Sequence, residues 1–279
     1  MRMTDAEYHA HPAWSASRLK GALMDTPLSY WAKYEDPKRE PFAPNESMKR
    51  GSLVDCFMTE AETFWDRYHV IGDVDRRTKA GKEAWAEAEK VANGRELIRE
   101  ADMATVYAIT ARLTADPAIG PILRQPRSSQ EPHFWIDDCG REHRYKPDIE
   151  CEDGGLFDLK LSRSAHPRRF AAQSYSLGYD IQLSHYREGF IDRYGRKPTR
   201  IGIIAYQWDW PHNCSLLIAD EDLLAFGAER REAAIKLIED CRASGEWPSY
   251  GQATLGLPSY ADFKSADDDN DLDGLDLVF

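Results

Sequence analysis

Residues 146–160 read Lys146-Pro147-Asp148-Ile149-Glu150-Cys151-Glu152-Asp153-Gly154-Gly155-Leu156-Phe157-Asp158-Leu159-Lys160. Two extended runs flank a Glu-Asp-Gly-Gly turn, the pattern of an antiparallel hairpin. Across such a hairpin Asp148 and Asp158 come near each other. Asp158 and Lys160, two apart, leave the same sheet face. Two carboxylates and an ammonium therefore converge among Ile, Phe and Leu, and burying them is costly unless a cation compensates the carboxylates. Hard oxygen ligands suit Mg²⁺, with Mn²⁺ as a substitute, and such an ion activates water and neutralises charge on a phosphodiester. Lys160 would then position the attacking water or stabilise the pentavalent phosphorus. The spacing by itself also fits a cross-strand ion-pair cluster on an exposed face, where such pairs contribute little.

Around this hairpin the chain alternates in texture. His133 to Asp137, Glu142 to Glu150 and Leu156 to Leu161 read as three antiparallel strands joined by tight turns. Downstream, Tyr179 to Tyr194 reads as a helix, Ile201 to Trp208 and Ser215 to Ala219 as strands, and about 220–244 as a final helix. The N-terminal part is helical: Ser15 and Ser17 are N-cap candidates before Leu19, Ala22 and Leu23, and Pro27 interrupts the pattern that Tyr30, Trp31 and Tyr34 resume. A Pro-rich loop over 37–46 precedes a helix from Ser47 to Glu60, with Leu53, Val54 and Phe57 inward. Helices over 79–92 and 96–115 follow, separated by Asn93-Gly94. This order predicts a mixed α/β (α+β) chain: a helical N-terminal lobe over 1–125, a core over 126–264 and an acidic tail over 265–279.

The chain has 279 residues, 42% hydrophobic and 30% charged, a globular balance. Its net charge of −12 argues at first sight against a polyanionic partner. The distribution reverses that. Six aspartates lie in 265–279, a segment expected to be disordered, read first as a solubilising tail and second as a tail that docks a partner through Leu275 to Phe279. Residues 161–200 instead carry eight Lys/Arg against three acids, a basic surface directly after the hairpin. No apolar run reaches the roughly 20 residues of a membrane span, and Arg2 leads into polar residues, so a cytoplasmic protein is expected. The five cysteines form no close pair, which leaves buried thiols as the expectation. No Gly-x-Ser-x-Gly elbow, phosphate-cradling Gly-Lys loop or His-Glu-x-x-His occurs, which speaks against serine hydrolases, nucleotide-driven motors and zinc proteases.

Two further segments bear on the hairpin. Gln182 and Tyr186, four apart, share one helical face; Gln can bond a phosphate and Tyr can stack on a base, although a core-facing Tyr fits equally. In Arg50-Gly51-Ser52-Leu53-Val54-Asp55, Gly51 allows close helix approach, and Asp55 offers another oxygen ligand or is a solvated helix residue.

Together these segments resemble the PD-(D/E)XK nuclease superfamily and, within it, the RecE-like (exonuclease VIII) phage and prophage DNA exonucleases, from about Tyr8 to Tyr260. The likeness includes Tyr8-His9 with His11-Pro12, Ser15, Ser17, Leu19 and Lys20, Arg50-Gly51, the run Asp75 to Lys82, both hairpin strands, and Gln182 with Tyr186. It implies a restriction-endonuclease-like core, a mixed sheet flanked by helices. It implies that Asp148 and Asp158 are metal ligands, that Leu159 gives its carbonyl, and that Lys160 is the catalytic lysine. Glu131 matches a glutamate near the metal, and Gln182 and Tyr186 match the helix motif beside the active site.

Two departures stand out. Asp55 occupies the place of the family's metal-binding histidine, and Lys146 that of the commoner arginine before Pro-Asp. The resemblance further implies Mg²⁺-dependent 5′→3′ exonuclease action on linear double-stranded DNA. The resulting 3′ single strands would pass to a RecT-like single-strand annealing protein for recombination. A homo-oligomeric ring of three or four subunits would keep a basic channel inside an acidic exterior. Arg163, Arg168 and Arg169, with Arg196, Lys197 and Arg200, would hold the DNA backbone; Trp14, Ser15, Ser17 and Arg18 are candidates to grip the 5′ end, with helix capping and core packing the favoured reading of the first three. The rivals are a DNA-end-binding scaffold with a decayed site, a hydrolase of another phosphodiester, and a RecB-like iron–sulfur nuclease. The cysteine spacing opposes the last.

Overall fold

The computed structural model describes Met3 and residues 5–40, 43–125 and 132–253. The N-terminal part holds α1 (Asp5–Ala10), α2 (Ala16–Met24), α3 (Pro27–Tyr34), α4 (Glu46–Thr59), α5 (Phe64–Arg67), β1 (Tyr68–Ile71), α6 (Lys79–Ala92), β2 (Glu96–Arg99), α7 (Glu100–Ala115) and α8 (Gly120–Arg124). It is followed by β3 (His133–Ile136), β4 (Glu142–Tyr145), β5 (Ile149–Glu150), β6 (Gly155–Leu161), α9 (Pro167–Ser176), α10 (Tyr179–Tyr194), β7 (Arg200–Tyr206), β8 (Cys214–Ile218) and α11 (Glu221–Ser244). Side-chain caps fix several helix starts: Ser15, Thr26, Asn45, Thr78 and Asp220 each accept a first-turn backbone N–H.

The central sheet runs β5-β6-β7-β8, with β6 parallel to β7 and the outer pairs antiparallel. The crossover between β6 and β7 carries α9 and α10, as parallel strands require. Both inner strands are buried along nearly their whole length, because helices cover both faces. Phe157, Leu159, Ile204 and Tyr206 pack against α4 and α7 residues such as Leu53 and Val106. Leu156, Ile203 and Ala205 pack on the other face with Phe170, Leu183 and Phe190. Asp158 and Lys160 share the parity of Leu156 and so face α10.

Three readings of the sequence need correction. The expected strand over 142–150 is two strands, because Pro147 has no N–H for a ladder and the chain breaks at Lys146-Pro147-Asp148. β3 and β4 form a two-stranded sheet apart from β5 and β6, so there is no continuous three-stranded meander. The expected helix over 96–115 begins only at Glu100; Glu96–Arg99 is a strand paired in parallel with β1, an element the periodicity missed. Helix α9 was also missed, since Arg168, Arg169 and Gln173 dilute its apolar pattern around the buried Phe170. The short helices α1, α5 and α8 also had no expected counterpart, and the remaining helices and strands lie within a few residues of the expected bounds.

Trp14, in the extended segment before α2, adds to the edge of β4: its N–H donates to Glu142 O at 2.8 Å, and Arg144 N–H donates to its carbonyl at 2.8 Å. The five cysteines are thiols, not disulfides; Cys56, Cys151 and Cys241 are buried, Cys214 is half-buried, and Cys139 is exposed, against expectation. Among the described residues no helix is long and apolar enough to cross a membrane. Glu131 and the tail over 265–279 lie outside the described residues.

Candidate active site

The break at Pro147 places Asp148 just before β5, and the register Ile149 with Phe157 sets it opposite Asp158. Asp148 Oδ2 accepts the Leu159 backbone N–H at 2.7 Å. Lys160 Nζ contacts Asp158 Oδ2 and donates to the Leu159 carbonyl at 3.3 Å. Asp158 is 1% exposed, and its other oxygen accepts from Gln182 Nε2 at 2.7 Å. Gln182 Nε2 also lies 3.2 Å from the Tyr186 hydroxyl. Gln182 and Tyr186 thus share one face of α10, turned towards the carboxylates.

These groups line a cleft of about 340 Å³ that also receives Ser15, Ser17 and Lys20 from the α2 region, Asp55 from α4, and Lys146. Asp55 Oδ1 lies 3.5 Å from the Tyr206 hydroxyl. Burial and then the neighbouring Asp148 charge push the Asp55 carboxyl well above the usual range. Burial and then Asp158 push Asp148 up to about 7, against the opposing pull of Lys160 and the Leu159 N–H. Lys160 moves up, because the attraction of Asp158 and Asp148 exceeds its desolvation. Carboxylates forced together in this way favour a cation between them.

The donor set consists of Asp148, Asp158 and the Leu159 carbonyl, all oxygen, which fits a hard divalent ion with water completing its shell. Among the described residues no three His, Cys, Asp or Glu side chains are grouped closely enough to hold an ion by themselves. Asp55 lines the same cleft, close enough for the Asp148 and Asp158 charges to act on its carboxyl.

The expected DNA-contacting residues divide. Ser17 is exposed on the cleft rim, whereas Ser15 is the buried cap of α2. Arg18 is also buried; it bonds the Tyr30 hydroxyl at 3.3 Å and pairs with Glu35 at 3.4 Å, so its guanidinium is held inside the lobe. Arg163, Arg168 and Arg169 are exposed in and just before the first turn of α9. Three cleft residues were not expected in the site: Glu60 and Arg67, which carried no sequence signal, and Lys20, which entered only as part of the resemblance. Glu60 bonds both Lys146, at 3.1 Å, and Arg67, at 2.8 Å. Lys20 Nζ donates to Gln182 Oε1 at 2.7 Å; burial and then Lys160 press its ammonium down to about 7. Only the fold brings these side chains to the hairpin.

The fold has a solved counterpart. A "Putative exonuclease" from Eubacterium rectale superimposes with a TM-score of 0.65 over 92% of this chain and 96% of that one, at 15% identity. An alkaline exonuclease from Laribacter hongkongensis aligns over 66% of this chain and 97% of that one, also at 15% identity, with a TM-score of only 0.30. No curated protein sequence matches the chain significantly. The model of a PDDEXK-like domain of unknown function, DUF3799, matches residues 15–255. That span takes in α2, both hairpin strands and α10, the segments that bring Lys20, Asp148, Asp158, Lys160 and Gln182 into one cleft, and the chain belongs to this PDDEXK-like family.

Proposed function

We propose that the cleft hydrolyses DNA phosphodiester bonds with the aid of a divalent cation, and that the protein is an exonuclease. The observation that carries the reading is the convergence of Asp148, Asp158 and Lys160 on one cleft, with Asp158 held from behind by Gln182. The E. rectale "Putative exonuclease", which shares the fold, supports it. A bound Mg²⁺ would supply charge neutralisation at the scissile phosphate and a lowered pKa for its water. Asp148, Asp158 and the Leu159 carbonyl would hold that ion. The Lys160 ammonium, tethered between Asp158 and the Leu159 carbonyl, would orient the attacking water or offset charge on the phosphorus oxygens. Attack in line with the P–O3′ bond breaks that bond, leaving a 5′-phosphate on one side and a 3′-hydroxyl on the other.

The finer reading is degradation of linear duplex from the 5′ end, supplying 3′ single strands to an annealing protein from within a ring of subunits. It rests on the resemblance to RecE-like exonucleases and on the exposed basic residues Arg163, Arg168 and Arg169. The deciding experiment uses linear duplex labelled separately at each 5′ end and at each 3′ end, with and without Mg²⁺. Wild type is compared with Asp158→Ala and Lys160→Ala. Loss of hydrolysis with retained DNA binding in both variants supports the enzyme, and release of 5′ label first supports the polarity. Equal residual cleavage in all three proteins would place the activity elsewhere.

A further inference from the structure

Asp158 meets the amide of Gln182, and a glutamine amide has two chemically opposite ends, an oxygen that only accepts and an NH₂ that donates. An ionised carboxylate only accepts. Gln182 can therefore support Asp158 in one of its two flips; in the other, Oε1 faces a carboxylate oxygen across a buried contact. The other end of the amide is occupied by Lys20, whose Nζ donates to Oε1 at 2.7 Å. In its ammonium form Lys20 cannot accept, so a donor at one end and the Asp158 carboxylate, an acceptor, at the other favour one orientation of the amide between them.

Lys20 is seated for this contact. It comes from α2, 162 positions away in sequence, and its stem crosses Gly178, where an added Cβ would lie 3.0 Å from Lys20 Cγ. Gly178 has φ +67°, in the left-handed region where glycine carries no Cβ penalty. Lys20 Nζ also lies 5.2 Å from the centre of the Tyr179 ring, which Lys160 approaches at 5.7 Å.

We propose that Lys20 is a positioning residue: by occupying the Gln182 carbonyl it locks the amide with its NH₂ towards Asp158, and through it fixes the carboxylate that serves the reaction. The inference deepens the nuclease reading and rests on it for its catalytic consequence, but the amide lock itself can be read without turnover. It also explains why a lysine from the helical lobe enters a site otherwise built from the hairpin and α10.

The test compares wild type, Lys20→Met, Lys20→Arg, Gln182→Ala and the Lys20→Met/Gln182→Ala double variant. Supporting shells of this kind typically change activity by about 10–100-fold, so Lys20→Met should lower kcat by about tenfold with KM for duplex little changed. Lys20→Arg, which keeps a donor, should recover most of the loss. The double variant should be no slower than Gln182→Ala, the signature of two residues acting through one contact. Additive losses, or weaker duplex binding in EDTA with a reduced salt slope, would show that Lys20 grips phosphate directly and would overturn the proposal.

Two further measurements separate this inference from the nuclease reading. In the full-length protein the ¹⁵N side-chain amide signal of Gln182, assigned by its loss in Gln182→Glu, should be sharp in wild type and Lys20→Arg but broadened in Lys20→Met. An unchanged signal sinks the lock whether or not DNA is cut, whereas failure of wild type to cut DNA sinks the nuclease reading alone. If Lys20→Met does not fold, Gln182→Glu remains informative: it can still accept from Lys20 but cannot donate to Asp158, and full activity in that variant would also refute the proposal.

Discussion

The Asp148 carboxylate accepts the backbone N–H of Leu159 at 2.7 Å, so the side chain at the end of one hairpin arm is pinned to the backbone of the other. The same N–H would donate to a neighbouring strand if β5 were longer; the break at Pro147 replaces a backbone acceptor with a carboxylate. Replacing Asp148 by Asn keeps an acceptor for Leu159 and removes the negative charge. Asp148→Asn should therefore melt within about 1 kcal/mol of wild type, while its Mg²⁺-dependent cleavage of linear duplex falls by about 100-fold or more. Cleavage at the wild-type rate would remove Asp148 from the metal site.

Metal binding should be visible as stability. Asp55 and Asp148 are pushed up by burial and by their acidic neighbours, and a divalent cation relieves that repulsion. Saturating Mg²⁺ or Mn²⁺, at about 100 times Kd, should raise the unfolding free energy by about 2.7 kcal/mol, read as a higher Tm. Asp55→Asn should raise the Tm of the metal-free protein and shrink the metal-induced rise. A metal-induced rise of the same size in Asp148→Asn would contradict the site.

Acid stability should depend on His185. It is fully buried, its Nε2–H donates to the Arg144 carbonyl at 2.9 Å, and its Nδ1 meets no hydrogen-bond partner. Burial presses its pKa down from 6.5 to about 3, and the nearby His143, Arg231 and Arg144 press in the same direction. The unfolded chain then binds a proton that the folded chain refuses. The stabilisation is complete above about pH 6.5 and is lost progressively as pH falls towards 3. His185→Gln, which can still donate to Arg144, should flatten urea stability across that interval; an unchanged slope would contradict the assignment.

Gly227 sets the contact of α11 with α10. A Cβ there would lie 2.1 Å from the Asp180 carbonyl oxygen, and α10 and α11 are adjacent long helices that share two core clusters. Gly227→Ala should destabilise by about 1–3 kcal/mol in urea melts despite its gain in helix propensity. A more stable variant would mean that the helices can part at no cost.

The exposed arginines of α9 should act as sequence-independent phosphate contacts. Arg168→Glu with Arg169→Glu should weaken binding to duplexes of any sequence and reduce the salt slope by about one per lost contact. A sequence-selective loss would indicate a base-reading role instead.

The candidate site's hairpin was legible because its pattern is local: Asp158 and Lys160 share a face by strand parity, and the turn between the arms is written in Glu152 to Gly155. The long helices with strong caps were legible for the same reason. β1 and β2 were not, since four residues such as Glu96 to Arg99 carry too little alternation to stand out beside a helix that begins at the next residue. Nor was the inward turn of Arg18, because its partners Tyr30 and Glu35 lie on or beyond the next helix. Lys20, Glu60 and Arg67 reach the cleft only through tertiary packing, which spacing along the chain does not encode.

The strand-like contact of Trp14 with β4 bears on how this protein can be divided. Removing everything before residue 126 would strip a backbone partner from Glu142 and Arg144 and lay bare a sheet margin that natural proteins keep covered against sticking to other chains. Such a fragment would also lose the α2 helix that carries Lys20. Truncation at the helical lobe should yield aggregates, and a soluble minimal version has to begin upstream of Trp14.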